Sequence, residues 1–305
     1  MKTQESHKTE DLYIPFFQSR KREHNMKAIR NFVRKYPILT GLLVFLISTF
    51  ALTPLDALMQ AVPAFHVDDF TGNLIFVLYD SYLIPLLVVG LFGLFWIYRR
   101  GNFFKTAAVG LAEVLFSAVL LGGTIYETLQ NPNIVWMDTK GILAGLIEVF
   151  GIGFAEETYF RGIVANLIGR KYGKDPKGVW FAAIMSGLIF GFIHMGNMQF
   201  GVSFKSALIQ SLVACGAGLL YAAIYYRGGS IWVLILNHFM TDAASLFTTL
   251  FTVTEATAAS AVNDLDFGNL FPLFISAGIA IFLLRKSKIH EAVEMLNNDY
   301  DAADR

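Results

Sequence analysis

The stretch Phe154-Ala155-Glu156-Glu157-Thr158-Tyr159-Phe160-Arg161 decides the reading of this chain. Two adjacent carboxylates and an arginine sit inside a run, 141–168, that is otherwise apolar and long enough to cross a bilayer. A charge at the centre of such a helix costs roughly 2.5 to 3.5 kcal/mol on insertion scales. Three charges in six residues therefore need mutual pairing or a water-filled interior. Glu157 and Arg161 are four apart, share a face and can pair. Glu156 lies about 100° further round the helix. The simplest arrangement neutralises Glu157 with Arg161 and leaves Glu156 free for chemistry.

Composition sets the class. The chain has 305 residues, 55% of them hydrophobic and only 16% charged. Soluble domains carry about 25% charged residues. With a mean hydropathy of +0.52, this reads as an all-α, multi-pass membrane helical bundle, not a soluble enzyme with one anchor. The single cysteine, Cys215, excludes an intrachain disulfide and a Cys-based zinc site, and reads as a small packing residue. Basic residues track the membrane edges, which speaks against nucleic acid as a partner.

Working outward, residues 1–37 carry nine Lys/Arg and read as a cytoplasmic basic tail, with a short interfacial helix near Lys27–Tyr36. A transmembrane domain occupies 38–288. Its eight expected spans lie at 38–54, 73–98, 103–125, 141–168, 178–195, 204–226, 230–252 and 268–284. Residues 289–305 are polar and acidic and read as a loose cytoplasmic tail.

Basic residues collect on alternate connections, at Arg99, Arg100 and Lys105, at Arg170, Lys171, Lys174 and Lys177, at Arg227, and at Arg285, Lys286 and Lys288. The other connections carry Asp56, Asp68, Asp69, Glu127, Asp138, Glu255, Asp264 and Asp266. The positive-inside rule then places both termini in the cytoplasm, consistent with an even span count.

Further polar residues fall inside expected spans: Asp80, Glu113, Glu148, His194, Asn237, His238 and Asp242. His238 and Asp242 are four apart on one helix face. At about 1.5 Å per residue, Glu156 lies roughly 18 Å from the cytoplasmic edge, His238 roughly 13 Å and His194 roughly 24 Å. These depths allow convergence near mid-bilayer, with His194 the deepest.

A glutamate beside two imidazoles can take a proton from water, and an imidazole or a protonated acid can stabilise an oxyanion as water adds to a carbonyl. That set suits amide hydrolysis. Two His and a carboxylate also make a zinc site, so water held by metal and water held by hydrogen bonds both stay open. No His-Glu-x-x-His and no Gly-x-Ser-x-Gly occurs. Asp80, Glu113 and Glu148 suit a transporter's ion path, but no inverted repeat accompanies them.

Glu156-Glu157-x-x-x-Arg161, Phe190-x-x-x-His194 and His238-x-x-x-Asp242, in this order and each inside an expected span, resemble the three motifs of the CPBP family. These are the CAAX-processing and bacteriocin-processing intramembrane proteases, also called Abi proteins. The resemblance covers about 141–252. It implies a membrane endopeptidase of the type-II prenyl-protein, Rce1-like class. Glu156 would be the general base, and His194 would help hold the water. His238 and Asp242 would polarise the scissile carbonyl, and Glu157 and Arg161 would support the geometry. It further implies membrane lipid and a membrane-associated peptide or prenylated protein as partners. A divalent metal such as zinc stays open, because both metal-dependent and glutamate-only mechanisms are attached to the family. The family admits Asn or Asp where Asp242 stands. An ionised carboxylate cannot donate to an oxyanion, so Asp242 is protonated, orients His238, or favours a cation. The alternative from another class is a bacteriocin-immunity or self-protection protein that acts without proteolysis. For a bacterial chain the location is the cell membrane.

Overall fold

A computed structural model of the chain describes residues 24–50, 69–254, 257–263 and 265–303. The first part of the basic tail, Pro54, Asp56, Asp68, Glu255 and Asp264 lie outside the described residues. Those described form an all-α bundle with no β-strand; an isolated antiparallel bridge joins Trp136 and Thr252.

The helices run in chain order as α1 (24–35), α2 (Pro37–Phe50), α3 (Phe70–Phe92), α4 (Phe103–Val109), α5 (Leu111–Gln130), α6 (Thr139–Glu157) and α7 (Asn166–Tyr172). They continue as α8 (Pro176–Ile193), α9 (Phe204–Gly228), α10 (Ile231–Ser245), α11 (Phe247–Phe251), α12 (Ala258–Val262), α13 (Phe271–Leu283) and α14 (Ile289–Ala303). Among the described residues four helices are long and apolar enough to cross a membrane: α3, α5, α8 with its continuation to Phe200, and α9. Large apolar side chains such as Leu87, Val119, Leu188 and Phe192 face outward, as a lipid-facing surface requires.

A helix lies at each of the eight stretches read as spans, but several are broken. The 73–98 stretch ends as a helix at Phe92, because Gly93 takes a left-handed φ of 70° and Phe95–Arg99 follow as a 3-10 turn. The 103–125 stretch is two helices meeting at Gly110. The 230–252 stretch is interrupted at Leu246. Two segments are π-helical, Leu78–Leu83 within α3 and Thr158–Ala165 between α6 and α7.

Local chemistry sets the helix starts. Asp138 accepts from Gly141 N at 2.8 Å to begin α6. Asp175 does the same for Gly178 N, with Pro176 in the first turn of α8. The core is built on the π-helical segment, whose Phe160, Ile163 and Val164 are fully buried, and on the second half of α9.

The C-terminal stretch departs from a loose tail. It folds as α14 and buries Ile289, Ala292 and Leu296, spaced three and four apart on one face. Arg100 Nη2 donates to Met295 O at 3.1 Å, and Arg227 pairs with Glu291 at 2.6 Å. The helix thus ties the connection after α3 to the end of α9.

Candidate functional site

Close approach of α6 to α10 begins at Gly153. A Cβ there would stand 3.1 Å from both Ile235 O and Phe239 N, and 3.4 Å from His238 Cβ. A side chain there would have to push the two backbones apart by a few tenths of an ångström. One turn further along α6 come Glu156 and Glu157.

Glu157 is fully buried and is the hub of the site. Its Oε1 accepts from Arg161 Nη1 at 2.9 Å and from His238 Nδ1 at 2.7 Å. The Arg161 guanidinium lies 4.2 Å from the Phe190 ring centroid and 4.8 Å from that of Tyr221. A fully desolvated cation is thus met by a carboxylate and two aromatic faces. The pairing of Glu157 with Arg161 agrees with the sequence reading; the third member, His238, was not expected in that pair.

The bond to Glu157 makes Nδ1 of His238 a donor. That leaves Nε2 facing the other two carboxylates, 3.4 Å from Asp242 Oδ2 and 3.7 Å from Glu156 Oε2. His194 closes α8 and opens the 3-10 turn His194–Phe200. Its Nδ1 donates to Phe190 O at 2.9 Å, so its Nε2 is also left for other partners. It lies within electrostatic reach of Glu156, His238 and Arg161. The Phe190 ring meets both imidazoles edge-on, at 5.0 Å from His194 and 6.2 Å from His238. The end of α8 therefore brings the deepest predicted residue to the same place as the shallowest.

Glu156 differs from its neighbour in kind. Its side chain is 29% exposed against 0% for Glu157. Its Oε2 is nonetheless buried and has no hydrogen-bond partner in the protein. A buried, unbonded carboxylate oxygen 3.7 Å from an imidazole nitrogen is open to a further partner.

All six residues expected at the site thus come together: Glu156, Glu157, Arg161, His194, His238 and Asp242. Asp80 has none of these six as a hydrogen-bond or ion-pair partner and lies within electrostatic reach of Tyr159. Among the described residues no three His, Cys, Asp or Glu side chains are arranged to hold a metal ion.

Residues 138–244 match the family model described as type II CAAX prenyl endopeptidase Rce1-like. The central segment of this chain is similar to that family. The matched segment contains every one of the six site residues and runs from the cap of α6 almost to the end of α10. No curated protein and no solved structure matches the chain. With its apolar helices, the chain is an integral membrane protein.

Two residues of the site had no role assigned from sequence. Asn237 was noted only as a polar residue within a span, and Tyr221 not at all. Asn237 Nδ2 donates to Tyr221 Oη at 2.5 Å, and the Tyr221 ring stands 6.1 Å from that of His238. Asn237 also reaches Glu113 of α5, which lies outside the matched segment. A tyrosine inside an apolar run carries no signal that separates it from ordinary packing.

Proposed function

We propose that this protein is an intramembrane endopeptidase that hydrolyses a peptide bond of a membrane-associated, prenylated CAAX-type substrate, with Glu156 as general base. The observation that carries the reading is the contrast between adjacent carboxylates. Glu157 is fully buried with its Oε1 held by both Arg161 and His238, while the Glu156 side chain is 29% exposed, has no such tie at Oε2 and stands 3.7 Å from His238 Nε2.

The chemistry follows from these positions. A water between Glu156 and His194 gives one proton to Glu156 and hydrogen-bonds through another to His194 Nε2. Its oxygen attacks the scissile carbonyl carbon, and the carbonyl electrons move onto oxygen. Protonated His238 donates from Nε2 to that oxyanion while Glu157 holds its Nδ1. The tetrahedral intermediate collapses, the C–N bond breaks, and the proton held by Glu156 passes to the leaving amine.

The test is cleavage of an internally quenched prenylated peptide by the full chain in mild detergent. Glu156→Gln should lose about 10²- to 10⁴-fold in kcat, the range of general acid–base catalysis, with thermal stability unchanged. A Gln variant that turns over like the wild type overturns the assignment. A strong chelator should leave the wild-type rate unchanged; a rate abolished by the chelator and restored by zinc would replace the metal-free scheme.

A further inference from the structure

Tyr221 sits in the inner half of α9 and is 4% exposed. A tyrosine this deep needs a partner for its hydroxyl, and Asn237 supplies one from α10. Asn237 immediately precedes His238, so the hydroxyl is tied to the helix position next to the imidazole. The ring makes two further contacts: the Arg161 guanidinium stands over its face at 4.8 Å, and the His238 ring meets it at 89°.

Phe190 does the same from α8. It has Arg161 over its face at 4.2 Å and His238 against it at 84°. Arg161 and His238 are the two groups that bond Glu157 Oε1. Two aromatic rings, one from each of two helices, thus bear on both partners of the hub carboxylate.

We infer that Tyr221 is a positioning residue of the site: its ring holds the Arg161 guanidinium and the His238 imidazole where both reach Glu157, and Asn237 holds the ring. Phe190 belongs to a motif visible in the sequence; Tyr221 is its counterpart on the facing helix. The kinetic consequence rests on the endopeptidase reading, whereas the geometric one does not. A misplacement of about 1 Å at a reacting group costs on the order of 10²-fold.

The experiment uses the full chain in detergent with 15N-labelled histidine and reads imidazole resonances alongside peptide cleavage. Six histidines keep the spectrum assignable. Tyr221→Phe keeps the ring but cuts its tie to Asn237, and should lower kcat by less than Tyr221→Leu does. Tyr221→Leu should lower kcat on the order of 10²-fold with KM changed less than about twofold, and should displace or broaden the His238 signals. Should the Leu variant not fold, Asn237→Ala frees the ring without removing it and should broaden the same signals. Wild-type kcat and unmoved His238 signals in Tyr221→Leu, or unmoved signals in Asn237→Ala, overturn the inference. So does a Phe variant as damaged as Leu, since the hydroxyl itself would then be the active part. If the wild type cleaves nothing, the endopeptidase reading falls, and the His238 signals alone decide the positioning role.

Discussion

Glu157 Oε1 and His238 Nδ1 are 2.7 Å apart, and the carboxylate that makes this bond also holds Arg161 at 2.9 Å. One oxygen therefore anchors two donors from two directions, one on its own helix and one on α10. The bond fixes the proton on Nδ1 and turns Nε2 toward Glu156 and Asp242. The division of labour between the adjacent glutamates follows: Glu157 builds the site and Glu156 remains available to react.

Removing Glu157 should therefore damage folding before chemistry. Glu157→Ala leaves a buried guanidinium without its anion, a loss of about 3–5 kcal/mol for a broken buried pair. Thermal unfolding in detergent should show a large drop in Tm for Glu157→Ala and a smaller one for Glu157→Gln. Glu156→Gln should leave Tm where it is. Equal Tm losses at the two positions would contradict the assignment of separate roles.

The approach of α6 to α10 gives a steric prediction. A Cβ at position 153 would press on Ile235 O and Phe239 N, which are backbone atoms and cannot swing away. Gly153→Val should push α10 outward and lengthen the distance from His238 to Glu157. Activity should fall on the order of 10²-fold, as expected for an ångström-scale displacement. Gly153→Ala should show the same effect at smaller size. A fully active Gly153→Val protein would mean that the helices do not need this contact. On the other side of the site, Gly187 of α8 faces Cys215 O and Leu219 N of α9 in the same manner.

α14 yields a prediction in pH. Lys288 holds the Glu291 carboxyl at about 2, against an ordinary 4.5, with Arg227 adding to the effect. A carboxyl depressed in the folded state contributes stability that is complete above about pH 4.5 and is lost as pH falls toward 2. The Tm difference between wild type and Glu291→Gln should thus be constant from neutral pH down to about 5, then close as the pH falls further. Amide exchange across α14 should quicken over the same window. A difference that persists unchanged at pH 3 would show that the pairing does not stabilise the helix.

The membrane class and the cluster of polar side chains were legible in the sequence for one physical reason. Glu156, Glu157, Arg161, His194, His238 and Asp242 are expensive in an apolar run, so each announces itself, and their cost is relieved by converging. Tyr221 carries no such cost, because its ring is at home in apolar surroundings and only its hydroxyl needs a partner. The π-helical segment after Glu157 is invisible for another reason. It is a matter of hydrogen-bond register, with Asn166 N–H reaching back to Arg161 O, and hydrophobic periodicity does not report register over eight residues. In α14 the apolar spacing of Ile289, Ala292 and Leu296 was present in the sequence, but the acidic residues around it dominated the reading.

Asp242 separates two roles that the geometry alone combines. Its Oδ2 stands 3.4 Å from His238 Nε2, so it can steady the imidazole, and it can also face the oxyanion. Asp242→Asn keeps the shape and supplies an N–H that an ionised carboxylate lacks. If the position serves the oxyanion, the Asn variant should work at least as well as wild type, and Asp242→Ala should lose about 10²- to 10³-fold in kcat, as oxyanion-hole deletions do. If it serves only to hold charge against His238, both variants should lose activity together. The site favours the first outcome, because Glu157 already supplies an anion to His238 through Nδ1 and a second is not needed to orient the ring. Parallel kcat measurements on the two variants decide between them, and equal losses in Asn and Ala would return Asp242 to an electrostatic role.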